Sequence, residues 1–288
     1  MIPRFNERDT PGKYLGNPML IDTLFVLKAL CSISIVVTMS LIAERAGPRT
    51  AGLLTGLPLG AGMVIIFTGA EQGAGFAARS AHHMVPGFVT TLVFVYVYAA
   101  VAAKEGIGGV RGVLMPSLCA NTAYAASAWL ISLTQIPLLY SVPLILVCLV
   151  VTSKLMAYLP NTPIMARVRF GWRVMAFRAG MATTAILLIT GVAGNVGEQW
   201  TGILTAFPIT LFPLILVIHI TYTGNEIAAV LKHVPMGLGG VISFCVTAAY
   251  SLPAMGMLWG TLLAYVAAAV YLLGVSQLNR WWMIRKRV

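Results

Sequence analysis

Nine apolar runs of about 20 residues fill most of this chain, and a run of that length is what a helix needs to cross the hydrocarbon core of a bilayer. They are Leu20 to Ile42, Ala51 to Ala70, Pro86 to Ala103, Val113 to Leu133, Ile136 to Ser153, Val174 to Ala193, Trp200 to Tyr222, Met236 to Pro253 and Gly256 to Gln277. Of the 288 residues 59% are hydrophobic and 9% charged, which excludes a water-soluble domain. The connections leave no room for one either. The expected fold is therefore an all-α polytopic integral membrane protein. The first apolar run is too long for a cleavable signal and no small-residue cleavage site follows it, so it reads as a retained span.

The net charge of +11 comes from basic residues at span ends, which points to membrane orientation and not to nucleic acid. With the N-terminus outside and nine spans, 14 Lys and Arg fall on the cytoplasmic side and 4 outside, with Lys28 inside the first span. That bias follows the positive-inside rule and predicts an N-outside, C-inside protein of a bacterial inner membrane. The four cysteines, Cys31, Cys119, Cys148 and Cys245, lie within predicted spans without C-x-x-C spacing, so neither a disulfide framework nor a metal site is expected.

The two halves of the chain correspond. At an offset of 150, Gly52 meets Gly202, Thr55 meets Thr205, Pro58 meets Pro208 and Lys28 meets Arg178. At 151, Gly73 meets Gly224 and His82 meets His233; at 141, "AYAASAWL" meets "AYVAAAVY", pairing Tyr124 with Tyr265. The pattern divides the chain into a polar tail (1–19), a first four-helix repeat (20–134), a connector helix (135–160), a second four-helix repeat (161–277) and a basic tail (278–288). A single connecting span inverts the second repeat relative to the first.

In both halves the corresponding span is interrupted, by "TGLPLG" at 55–60 and "TAFPIT" at 205–210. Proline has no N–H and clashes with the carbonyl four residues earlier, so Pro58 and Pro208 each free a carbonyl within a span. Non-helical backbone is tolerated at that depth only where protein or a water-filled cavity satisfies it. One such break reads equally well as a packing kink; its recurrence at the matching position points to a site.

Other polar residues have two readings each. Lys28, about 12 Å into span one, either snorkels to the interface or draws an anion to the centre, and Arg178 is its shallower counterpart. Glu71 and His219 either cap spans or carry a coupled proton. Ser117, Asn121 and Tyr124 form one polar stripe that serves interhelical hydrogen bonds or substrate contact. His82, His83 and His233 read as exposed residues of short connections, and Glu226 as a loop carboxylate. No signature of a hydrolase, metalloprotease, P-loop or dinucleotide enzyme occurs, so no enzyme activity and no cofactor are expected.

Taken over most of its length, the chain resembles the inverted-repeat secondary transporters as an architectural class. The resemblance implies alternating access around a midplane site shaped by Thr55, Gly56, Pro58, Thr205, Ala206 and Pro208, with Asn121, Tyr124 and Tyr265 nearby and Glu71, His219 or Arg178 available for coupling. The expected substrate is a small organic anion. A lipid flippase or an accessory subunit of an envelope-lipid pathway is the alternative, to be recognised by a lateral groove and by Arg167, Arg169 and Arg173 at head groups. Small-residue faces suit internal packing and a homodimer alike.

Overall fold

The computed structural model describes residues 23, 25–38, 56–160 and 171–285, with side chains through 278. Nine helices cover them, and no strand occurs among them. In chain order they are α1 (Phe25–Thr38), α2 (Leu59–Gln72), α3 (Ala74–Glu105), α4 (Gly109–Ser132), α5 (Leu138–Ala157), α6 (Trp172–Thr205), α7 (Leu211–Thr221), α8 (Gly224–Leu231) and α9 (Val234–Arg285). Four of them, α3, α5, α6 and α9, are long and apolar enough to cross a membrane.

The outer surface agrees with that reading. Leu139 and Leu258 are each 75% exposed, and Leu114, Leu118, Val147 and Leu273 also face outward. A surface this apolar is unfavourable in water and suits a lipid solvent. The core is built around α3, whose 32 residues make a rod about 48 Å long packed by α2, α4, α5, α6, α8 and α9. Ala77, Ala81, Phe94, Tyr98 and Ala99 on this helix are fully buried.

Helix α3 begins at Ala74, well before the apolar run that opens at Pro86. Its first turns carry Arg79, His82 and His83, which lower the hydropathy, but Ala77, Ala78 and Ala81 form a small apolar face that docks into the core. His82 and His83 thus lie on a helix and not in a connection; their rings stack at 4.9 Å and His82 Nε2 meets the Ile136 carbonyl at 3.1 Å. Glu226 likewise belongs to a helix, where it closes a capping box on α8 by accepting the Thr223 N–H at 2.8 Å.

At one end of the bundle the chain doubles back on single glycines. Gly197 inside α6 and Gly256 inside α9 have φ of 76° and 74°, a conformation that favours glycine, and each separates two helical arms. The arms lie side by side: Thr201 Oγ1 donates to the Ala193 carbonyl at 3.4 Å, and Ser251 Oγ to the Gly260 carbonyl at 2.9 Å. Gly73 (φ 90°) joins α2 to α3 in the same way. Gln72 packs on Gly194 and Met257 on Gly69, so all three reversals share this end.

The crossing of α3 with the short second arm of α6 requires a missing side chain. A Cβ at Gly202 would collide with the Ser80 carbonyl and lie 2.8 Å from His83 Cβ, both on α3. Gly202→Ala is expected to destabilise the protein by about 1–3 kcal/mol, read as a lower unfolding midpoint in detergent, because backbone atoms there cannot move aside locally.

Candidate functional site

Both interrupted stretches arrive at the same place. After the non-helical residues Gly56 to Pro58 the chain enters α2, and after Ala206 to Thr210 it enters α7. Pro58, Leu59, Gly60 and Ala61 from the first stretch, and Thr205 to Leu211 from the second, line one cavity of about 80 Å³. Phe88 and Thr91 of α3 and Val234 to Val241 of α9 complete it. The breaks pack directly on one another: a Cβ on Gly60 would stand 3.3 Å from Ile209 Cβ. A cavity of this size accommodates several waters or a small solute.

The carbonyls released by the second break have partners. Thr205 Oγ1 donates to the Thr201 carbonyl one turn back at 2.6 Å, Tyr124 OH to the Ile203 carbonyl at 2.8 Å, and Thr91 Oγ1 to the Ala206 carbonyl. The last two come from α4 and α3; the Ile203 carbonyl also accepts the Ala206 N–H at 3.1 Å within the last turn, whereas the Ala206 carbonyl is met by the Thr91 hydroxyl of a neighbouring helix, as backbone at membrane depth requires. Phe207 is boxed edge-on by Phe94, Tyr124 and Phe212, which fixes the bend.

The chemistry of the cavity is that of backbone and hydroxyl groups. No charged residue lines it among the described residues. Helices α2 and α7 both start there, and neither start has a side-chain cap. The positive ends of two helix dipoles therefore point at one space, although the Leu59 and Phe212 N–H groups are taken by the Leu57 and Pro208 carbonyls and Pro213 has none.

The other predicted residues separate into distinct places. Thr55, Arg167 and Arg169 lie outside the described residues. The Gly56 carbonyl packs on Gly240 of α9, just beyond the cavity lining. Asn121 bonds within its own helix, to the Ser117 carbonyl at 2.8 Å. Tyr265 covers Gly62 and stacks on Phe244 at 4.9 Å, away from the breaks. It lines a second, apolar cavity of about 420 Å³ with Ile66, Ala70, Met257, Leu258, Thr261 and Leu262. Arg178 lies on the first arm of α6 and is not part of the cavity lining.

Lys28 and Glu71 meet each other. Lys28 Nζ sits 2.5 Å from Glu71 Oε1 and 3.1 Å from Thr190 Oγ1, so one buried ammonium ties α1 to α2 and α6. Its charge is met by an acid and is not presented to the cavity. Arg79 and Glu198 form a second pair at 2.9 Å, linking α3 to the Gly197 turn. Both pairs lie at the end of the three glycine reversals. His219 is fully buried at the opposite end, with Tyr98 OH 2.9 Å from Nδ1 and the Ile107 carbonyl 3.0 Å from Nε2.

Thr91 and Phe88 escaped the sequence reading. They sit mid-helix in an apolar run with no local signal, and only the approach of α3 to the second break gives them a role. No group of three metal-ligating side chains occurs among the described residues.

An all-helical fold with four long apolar helices and a lipid-compatible surface defines a helical membrane protein. No known protein family, curated protein or solved structure matches the chain.

Proposed function

We propose that this protein is a secondary active transporter of a small anionic organic solute. It works by alternating access around the cavity between the two breaks, crosses the membrane nine times with its N-terminus outside, and is built as two inverted repeats. The observation that carries the reading is the convergence of "TGLPLG" and "TAFPIT", 150 residues apart, on one cavity. Discontinuous helices at matching positions of two halves form the binding site in transporters of this architecture.

Cross-packing supports the duplication. Tyr124 reaches the break at 205–210 while its counterpart Tyr265 covers Gly62 beyond the break at 55–60, so each tyrosine meets the broken helix of the opposite half. Gly87 packs on Ala206, and Gly240 on Gly56. The anionic preference rests on the uncapped starts of α2 and α7 and on the lack of any acid in the lining.

Single cysteines at Thr55, Pro58, Thr205 and Pro208, in a protein lacking its four native cysteines, provide the test. A membrane-impermeant thiol reagent applied from each side is expected to label both stretches, with access alternating between sides as conditions change. Protection from both sides in folded protein would reject the transport path.

A lipid-handling role is the second reading, favoured by the apolar cavity between α2 and the second arm of α9, which is lined by the exposed Leu258 and Leu262 and sized for part of an acyl chain. It predicts crosslinking of a photoreactive lipid at Leu262 together with protection of both breaks.

A further inference from the structure

A transporter of this kind needs a group that takes up and releases the driving ion, and three of the four described carboxylates are engaged elsewhere, the fourth being Glu105 at the end of α3 beside His219. Glu71 is paired with Lys28, Glu198 with Arg79, and Glu226 with the Thr223 N–H. His219 is different. It is fully buried on α7, on the same helix that starts at the cavity, and both of its ring nitrogens have partners. The Ile107 carbonyl can only accept, so Nε2 carries a hydrogen; in the neutral ring Nδ1 is the acceptor and the Tyr98 hydroxyl donates to it.

A second proton on Nδ1 requires the Tyr98 oxygen to become the acceptor, and its own hydrogen then needs a new partner. Beside that hydroxyl lies Ser117 Oγ of α4, buried and without a hydrogen-bond partner. The charged side chain that faces the ring among the described residues is Glu105, at the end of α3. One hydroxyl rotation thus lets the imidazolium form without an orphaned N–H.

We infer that His219, Tyr98 and Ser117 form a proton-binding site in which Ser117 receives the Tyr98 hydroxyl hydrogen when His219 is charged, and that this site carries the coupled proton of the transporter proposed above. The inference rests on that reading for its role in transport, but not for the existence of the site. Helix α7 links the two, because its first residue lines the cavity and its last turn holds His219.

The full-length protein in lipid nanodiscs, labelled with ¹⁵N in its four histidine rings, tests both parts. The His219 signal, identified by its loss in His219→Gln, is expected to show an Nε2–H tautomer at alkaline pH and double protonation on acidification. Ser117→Ala should weaken the proton affinity about tenfold, moving the midpoint about one pH unit lower. A His219 ring that stays neutral while the protein remains folded, or a midpoint unmoved by Ser117→Ala, overturns the site. Labelling of a cysteine at Pro208 should follow the same midpoint and lose its pH dependence in His219→Gln. Titration with pH-independent alternating labelling would overturn the coupling role alone. Titration with a break protected from both sides would overturn the transport reading while the proton site stands.

Discussion

Glu71→Ala is expected to destabilise the protein by about 3–5 kcal/mol, the usual cost of leaving a buried charge without its partner. The Lys28 ammonium, 6% exposed, would retain only the Thr190 hydroxyl and a distant Phe67 ring at 6.0 Å. Lys28→Ala should cost less, about 1–3 kcal/mol, because the Glu71 side chain is 23% exposed and can recruit water. Replacing both together, Lys28→Met with Glu71→Leu, should recover most of the loss, since an apolar pair of similar volume removes both desolvation costs. Unfolding midpoints in one detergent of the parent, Lys28→Ala, Glu71→Ala and the double alanine variant form a double-mutant cycle, and additive single effects would show that the two charges are not coupled. The same variants examine the mechanism: the pair joins α1, α2 and α6 at the end of the bundle that the proposed orientation places outside, so on that proposal its loss should raise labelling of Pro208 cysteine from outside.

Thr91→Val combined with Tyr124→Phe is expected to have the second largest effect. Each substitution keeps nearly the same shape and removes one hydroxyl that serves a backbone carbonyl of the second break, that of Ala206 or Ile203. Thr91→Val leaves the Ala206 carbonyl without that donor, which costs about 1–3 kcal/mol, while in Tyr124→Phe the Ile203 carbonyl keeps the Ala206 N–H and the loss is about 0.5–1.5 kcal/mol. The α6–α7 break would then either straighten toward regular helix or admit water. Hydrogen exchange at Thr205 to Leu211 distinguishes the outcomes, with faster exchange confined to this stretch as the expected result. Unchanged exchange and stability would show that water already satisfies both carbonyls and that the hydroxyls are incidental.

Much of the fold was legible because hydropathy and proline act along the chain. The apolar runs at 136–153 and 174–193 match α5 and the first arm of α6 closely, and Pro58 and Pro208 announce their breaks by the N–H they lack. Helix α3 was read too short, since Arg79, His82 and His83 depress the average although an alanine face beneath them is buried. The reversals fall at Gly197, between two apolar runs, and at Gly256, the first residue of the last run, but nothing local says that one residue suffices to turn the chain.

The candidate site divides along the same line. Its breaks were visible, because a missing donor is a property of one residue. Its walls were not: Thr91 and Phe88 are ordinary members of an apolar run until α3 crosses α6. Lys28, read as a residue that snorkels or attracts a ligand, turned out to hold Glu71, a partner on another helix.

By itself the sequence determined that this chain is helical, that it belongs in lipid, and where two of its helices must fail, since transfer free energy and backbone hydrogen bonding are set residue by residue. Tertiary structure alone decided that the two failures share one cavity, that Lys28 is neutralised, and that Tyr98 and the Ile107 carbonyl hold His219. Those outcomes depend on which helices packing brings within about 3 Å of each other, a distance over which hydrogen bonds and ion pairs act and which no local pattern encodes.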